Sequence, residues 1–594
     1  MVLALVVVVY GFGYLLWYLS TPLGRAPQLD GAENLALAAK IAAGTLSHES
    51  FYRAMLYPAL LALPFKFGVS PDHLPALASS FGLICHFGIT LAIAILASRL
   101  WDNSPFRRRA ALLAAALWGL NPVALYYAVQ VLDTELAMAL FMGGLVCWTK
   151  PGGRSAALGG IFFGLAVAAR PHFMPLVLFA PLARAWLCGR WKGQLRDLLA
   201  WVGAALVLGL LGFIHWRWTG EFRLLPTQGA YNFYAANQPG ANGKYYLQQL
   251  YIPDLPAGEN PTRAEAEILY QRNRLSSSGP AETYWHRQAW SAIAAQPGAW
   301  LKLMVKKTYY LFNDFDQYNN FTYSWHQARS PWLWWNFLGW GVLLILAAAA
   351  LSMSCSSINM DPALRPRLAG LGLIFLIYAG GVLLYYASGR FRLPLAPLLC
   401  VVAGGLAAVP DWRRGRTSAV VVALLAASLA FSNFFQVRDH STYIQDELLT
   451  AMAASSIGDD LQAYTLAETA LQQDALRPDL RRVAAISFFN LTLADGPRYD
   501  TAPGWRKTAH ELQGLTLSDA TITLVAGVAA WKIGEPVQAE TIWRAGALRF
   551  GPASESASSL LAAQFLRGES PPGAPPPDPQ ILAYLKNIPV SAAN

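Results

Sequence analysis

The chain has 594 residues, of which 55% are hydrophobic and 13% charged, with 21 tryptophans. That balance excludes an ordinary soluble enzyme and places the sequence among polytopic membrane proteins. The net charge of +10 does not indicate nucleic-acid binding, because the Lys and Arg residues fall in short loops flanking apolar runs, where they orient helices.

The opening stretch, MVLALVVVVYGFGYLLWYLS, lacks a basic n-region and an A-x-A cleavage site and so reads as a retained first membrane helix. Further apolar runs lie near 76–98, 110–127, 133–148, 156–169, 172–187, 197–216, 331–352, 368–387, 393–409 and 418–435. Together they predict an all-α polytopic fold of about eleven transmembrane helices. Every second loop is basic: Arg99 with Arg107, Arg108 and Arg109; Lys150 and Arg154; Arg190, Lys192 and Arg196; Arg365 and Arg367; Arg413, Arg414 and Arg416. By the positive-inside rule those loops are cytoplasmic. The segments 20–75 and 217–330, the turns near 128–132, 170 and 388–392, and everything after about 435 then face outward, to the periplasm of an inner-membrane protein.

Arg170, Arg390 and Arg392 violate that rule. They share the outward ends of helices with Asp30, Glu33, Asp133, Glu135 and His172. A site holding carboxylates and guanidiniums at the outer membrane interface is the expectation, with Asp30 and Glu33 as its catalytic acids and Arg390, Arg392, Arg170 and His172 as its phosphate-binding residues. It would suit a lipid phosphate and an acceptor that needs a base. In SGRFRLPLAP, Pro394 disfavours helix at Leu393, so Arg390 and Arg392 are expected on an extended strand, pointing to one side and gripping one phosphate. Snorkelling to ordinary lipid headgroups is the alternative use of the pair. Asp30 and Glu33 would share one helical face, with Asp30 as an N-cap as the alternative. Asp133 and Glu135 would cap a helix or offer hard oxygen ligands, together with Asp30, to a divalent metal such as Mg or Mn. The five cysteines (Cys85, Cys147, Cys188, Cys355, Cys400) show neither a disulfide framework nor zinc spacing.

Within 20–75 and in WLKLMVKKTYYLFNDF the pattern is that of helices lying along the membrane surface. After about 435 the sequence turns polar and Ala-rich. In 520–552, Gly527, Gly534, Ala539 and Trp543 fall at the small and aromatic offsets of a tetratricopeptide repeat, partly echoed by Gly458, Ala463 and Ala470. Three regions follow: a membrane domain 1–435, a soluble helical repeat domain 436–570, and a proline-rich tail 571–594, read as stiff and extended without a core.

The segments LDGAENLALAAKIAAGTL, YRAMLYPALLAL, LNPVALYYAVQVLDTE, AARPHFMPLVL, QGAYNFYAANQPGANGKY and GRFRLPLAPLL, in this order, resemble the integral-membrane GT-C glycosyltransferases. The resemblance is to the family 39 group related to protein O-mannosyltransferases and to the lipid A aminoarabinose transferase. It implies a GT-C fold, a polyprenyl-phosphate-linked sugar as donor and inverting transfer on the outer face. It further implies that Asp30 is the first-loop catalytic acid and that Arg390 holds the donor phosphate, assisted by Arg392 or Arg170. Asp133 and Glu135 resemble the second-loop acidic motif of metal-binding members. Gly31 after Asp30 departs from the adjacent Asp and Glu of protein O-mannosyltransferases. The C-terminal repeats resemble those appended to some membrane O-mannosyltransferases and would present an acceptor protein or recruit a partner. Two further readings stay open: an oligosaccharide transferase using a polyprenyl pyrophosphate, and a non-enzymatic lipid-linked-sugar transporter or assembly scaffold.

Overall fold

The computed structural model describes residues 1–245, 250–252, 255, 258–273, 280–335, 337–355, 362–408, 415–570, 572 and 574–587. Arg413 and Arg414 lie outside the described residues, as does part of the C-terminal tail. The described regular structure is helical, with one isolated bridge between Asn319 and Phe321. The chain divides into two compact units, one of residues 1–248 and 257–442, the other of 249–256 and 443–594.

In the first unit each of the eleven apolar runs falls on helix, in whole or in part. Among the described residues five helices are long and apolar enough to cross a membrane: Val2–Ser20, Pro71–Leu100, Leu195–Thr219, Leu364–Leu383 and Gly389–Ala407. Arg107–Gly119 and Pro122–Ala128 make a sixth if counted as one span bent by 58°. Pro122 supplies no N–H, and Asn121 is held extended while its side chain caps Val123 and Ala124, so the helix restarts in a new direction. The remaining apolar helices have 11–17 residues. The 172–187 run is broken at Phe179, and the 331–352 run becomes helical only at Trp340.

The helices are apolar on all sides. Leu91, Leu206, Leu376 and Leu425 are 62–67% exposed, as expected of surfaces that meet hydrocarbon rather than water. Where helices touch, small residues let backbones approach. A Cβ on Gly160 would lie 2.1 Å from the Ala200 carbonyl, and one on Gly203 would lie 2.0 Å from that of Ala157. This locks Gly153–Ala169 against Leu199–Thr219.

The segment 20–75 folds as the helices Pro22–Arg25, Asp30–Ala43 and Leu56–Lys66 before Pro71. Asp30 is not an N-cap. That position is taken by Leu29, whose φ of 51° is unusual for a side chain with a Cβ, and Asp30 is the first helical residue. Asn34 donates to the Val131 carbonyl at 3.0 Å and ties this helix to the turn that carries Asp133.

The second unit consists of paired helices. Tyr443–Ser456 and Asp460–Leu471 are joined at Gly458, and Ala520–Lys532 and Pro536–Phe550 at Gly534, both glycines having positive φ. Trp543 is wholly buried over Gly527, where a Cβ would come within 2.2 Å of its Nε1. The small and aromatic offsets are therefore the two sides of one helix hairpin. The tail differs from its extended reading: Pro579–Lys586 is a helix, and Leu585 is 1% exposed in a core with Trp531 and Trp543. Asp578 caps it through Gln580 and Ile581, and its apolar side chains are spaced for one buried face.

A carboxylate and guanidinium cluster as candidate active site

Asp30, Asp133, Arg170 and Arg390 come from four separate helix ends and meet. Asp133 immediately precedes Thr134–Trp148, Arg170 ends Gly153–Ala169, and Arg390 lies in the first turn of Gly389–Ala407. Arg390 donates from Nη1 to Asp30 Oδ2 at 2.5 Å, from Nη2 to Asp133 Oδ1 at 2.9 Å and from Nε to Thr134 Oγ1 at 3.0 Å. Arg170 donates to the same Thr134 hydroxyl and lies 3.5 Å from Asp133 Oδ1. Thr134 thus sets the spacing of two guanidiniums.

Asp30 and Glu33 do share a helical face, and what they face is Arg53. Its Nη1 lies 2.5 Å from Glu33 Oε2 and 3.6 Å from Asp30 Oδ1. Asn260 donates to the same Glu33 oxygen at 2.8 Å. Burial alone would raise the Asp30 carboxyl, but the Arg53 and Arg390 guanidiniums outweigh it and hold the group well below the usual carboxylate range. For Glu33 burial prevails over Arg53, and its carboxyl is raised.

The expectation of an extended Arg390-Phe391-Arg392 with parallel forks is overturned. Gly389–Arg392 is a helical turn capped by Ser388, whose Oγ accepts from the Phe391 N–H. Pro394 sits in the first turn of the helix that follows, where its missing N–H is harmless, so Leu393 stays helical. The two arginines therefore diverge. Arg392 donates to the carbonyls of Asn313 and Asp314 and lies 3.3 Å from Asp316 Oδ1, fastening the 313–316 turn. Asp316 also accepts from Tyr127 OH at 3.1 Å and lies directly over Gly389, where a Cβ would come within 1.7 Å of Oδ1. A cavity of about 100 Å³ adjoins this turn, lined among others by Asn121, Tyr323, Trp340, Gly389 and Arg392.

His172 does not join the carboxylates. Its ring stacks on Phe391 at 4.8 Å, and the Arg170 guanidinium lies 4.8 Å from the same ring. Glu135 is buried, and its carboxylate oxygens have no hydrogen-bond partner among the described residues. The donor set does not fit the anticipated divalent cation. Asp30 and Asp133 are already bridged by Arg390, the Glu135 carboxylate shares no hydrogen bond with them, and the described residues contain no group of three His, Cys, Asp or Glu placed to share an ion.

Sequence reasoning missed Arg53, Thr134, Asp316 and Asn260. Arg53 carried a readable signal, because it too is an arginine in a segment assigned to the outer face. A threonine in an apolar helix carries none.

No protein-family profile matches the chain, and no curated protein does. Two solved structures of an oligosaccharyltransferase from Archaeoglobus fulgidus are similar to it. The apo form is 12% identical over 74% of this chain and 58% of that one, with a TM-score of 0.36. The second, AglB in complex with an inhibitory peptide and a dolichol-phosphate, is 11% identical over 76% and 59%, with a TM-score of 0.33. The chain thus spans less than two thirds of the length of these structures.

Proposed function

We propose that the protein is a membrane glycosyltransferase that moves a sugar from a polyprenyl-phosphate donor to an extracytoplasmic acceptor with inversion. The observation that carries this reading is the meeting of Asp30 with Arg390, 360 residues apart in sequence, at a junction of helix ends. A carboxylate beside a guanidinium pair is what such a transfer requires. The acceptor hydroxyl attacks the anomeric carbon, and its proton passes to Asp30. The bond from that carbon to the phosphate oxygen breaks, and the electron pair leaves with the phosphate. Arg390 and Arg170 stabilise the charge that develops there.

Roles divide among the other residues. Arg53 and Glu33 orient Asp30. Arg392 is a positioning residue, since its N–H groups hold the 313–316 turn. Phe391 and His172 form an aromatic wall beside the phosphate position and exclude water. The charge pattern of the loops supports an inner membrane with the site and the second unit on the periplasmic side. The second unit, read as tetratricopeptide-like, presents an acceptor protein or a partner.

The test is release of polyprenyl phosphate from radiolabelled lipid-linked sugars by the full chain in lipid nanodiscs, with host membranes as the acceptor source. Release with label transfer is expected in the wild type, and its loss is expected in both Asp30→Asn and Arg390→Ala. Binding without release across a broad donor panel would refute the transferase reading. Full transfer by a chain lacking residues 440–594 would refute the acceptor-presenting role.

A further inference from the structure

Four of the five N–H groups of Arg390 are engaged. Nε is engaged by Thr134, Nη1 by Asp30 and, at 3.4 Å, by Asn319, and Nη2 by Asp133. Arg170 is shared between Thr134 and Asp133, and Arg53 between Glu33 and Asp30. Three guanidiniums thus face three carboxylates, so the cluster offers no surplus positive charge to an arriving anion. A phosphate can engage more than one N–H of Arg390 only by exchange.

Both carboxylates have a second arginine, and Asp30 is the more exposed of the two. Asp133 is held by both Arg390 and Arg170, and its side chain is 13% exposed. Asp30 is 21% exposed and has a second arginine, Arg53, 3.6 Å from its other oxygen. Asp30 can let go of Arg390 without becoming an unpaired buried charge, and Arg390 keeps Asp133 while its Nη1 side becomes open to another anion. The more exposed side of Arg390, the one facing Asp30, is therefore where an exchange is placed.

We propose that Asp30 latches Arg390 in the resting protein, and that a lipid-borne phosphate monoester opens the latch by taking the Nη1 side of Arg390 from Asp30. This rests on the reading of Arg390 as the phosphate-binding residue. Its consequence is ordered use of the site. Asp30 is tied to Arg390 until the donor is seated, so the group that serves the acceptor is released by the donor itself. Water or an acceptor arriving first meets a carboxylate still occupied by two guanidiniums.

The experiment is a binding titration of the full chain in phosphatidylcholine nanodiscs with farnesyl monophosphate, with inorganic phosphate in a parallel arm. Removing the competing carboxylate should strengthen binding, so Asp30→Asn is expected to bind farnesyl monophosphate about tenfold more tightly than wild type, the effect of a latch closed in about nine molecules of ten. Arg390→Ala should lose binding. Tightening in both arms assigns the competition to the phosphate group itself, and tightening with farnesyl monophosphate alone assigns it to a prenyl lipid. Equal or weaker binding by Asp30→Asn, with binding still lost in Arg390→Ala, would overturn the latch and leave the phosphate role standing. Unchanged binding by Arg390→Ala would overturn the phosphate role as well. Because Asp30→Asn could fail to fold, carbodiimide labelling of the wild type is read by mass spectrometry in parallel. Farnesyl monophosphate should increase modification of Asp30, and no increase would count against the latch.

Discussion

Gly389→Ala would ordinarily be a mild change in a helical turn, worth about 0.5–1 kcal/mol in favour of alanine. Here the new methyl would sit 1.7 Å from Asp316 Oδ1, so the carboxylate has to move. That puts at risk its 3.1 Å bond from Tyr127 and its 3.3 Å contact with Arg392. A hydrogen bond to a charged group contributes about 1.5–3 kcal/mol, so losing both outweighs the helix term and leaves a net loss of about 2–5 kcal/mol. The assay is a double-mutant cycle on unfolding free energy with Asp316→Ala. Gly389→Ala should be costly alone and nearly neutral in the Asp316→Ala background, where the obstructing oxygens are gone. An equal loss in both backgrounds would refute the view that Gly389 is glycine because of Asp316.

Asp30→Asn should lower stability by about 1.5–3 kcal/mol at neutral pH, since it weakens the charged hydrogen bond from Arg390 while Arg53 keeps Glu33 and Arg390 keeps Asp133. The Asp30 carboxyl is depressed in the folded protein, so this contribution is present above the ordinary value of about 3.9 and fades as pH falls below it; unfolding of both proteins from pH 3 to 8 measures it. Glu33 is raised and has the opposite sign, so Glu33→Gln should gain on wild type as pH climbs past about 4.3. In a thermal titration, Mg or Mn should give no saturable rise in unfolding temperature, because Arg390 already bridges the two carboxylates; a saturable rise abolished by Asp133→Asn would show that the cation displaces it. Gly527→Ala in the second unit should lower stability by about 1–3 kcal/mol through overpacking against Trp543, whereas Gly372→Ala in the first unit, with open space beside it, should not.

How much was legible depended on the range of the determining interaction. Asp30, Asp133, Arg170 and Arg390 could be grouped because charge is expensive inside a bilayer, so charged residues collect at helix ends, and the alternation of basic loops says which end. What happens at those ends was less readable. Whether Arg392 points with Arg390 or away from it turned on one hydroxyl, Ser388, which caps a helical turn and overrides the local effect of Pro394. Glu135 shares a motif with Asp133 but, two residues into a helix, its carboxylate goes elsewhere. The tail was misread because proline content speaks for 571–578, while the helix after it is fixed by packing of Leu585 in a distant core. Span number was legible only as apolar runs, since a bend at Asn121 or a break at Phe179 changes length without changing hydropathy.

The 360 residues between Asp30 and Arg390 also set a timetable. A chain emerging at about 5–20 residues per second completes Asp30 some 20–70 s before Arg390 exists. During that interval Asp30 has Arg53 as its ion-pair partner among the described residues, and Asp133 has Arg170. The early half of the membrane unit is therefore born with its own provisional counter-ions, close enough in sequence to be inserted with the acids they neutralise. Arg390 arrives last and joins the two provisional pairs into one cluster, so completion of the site reports that the membrane unit has been assembled from both ends.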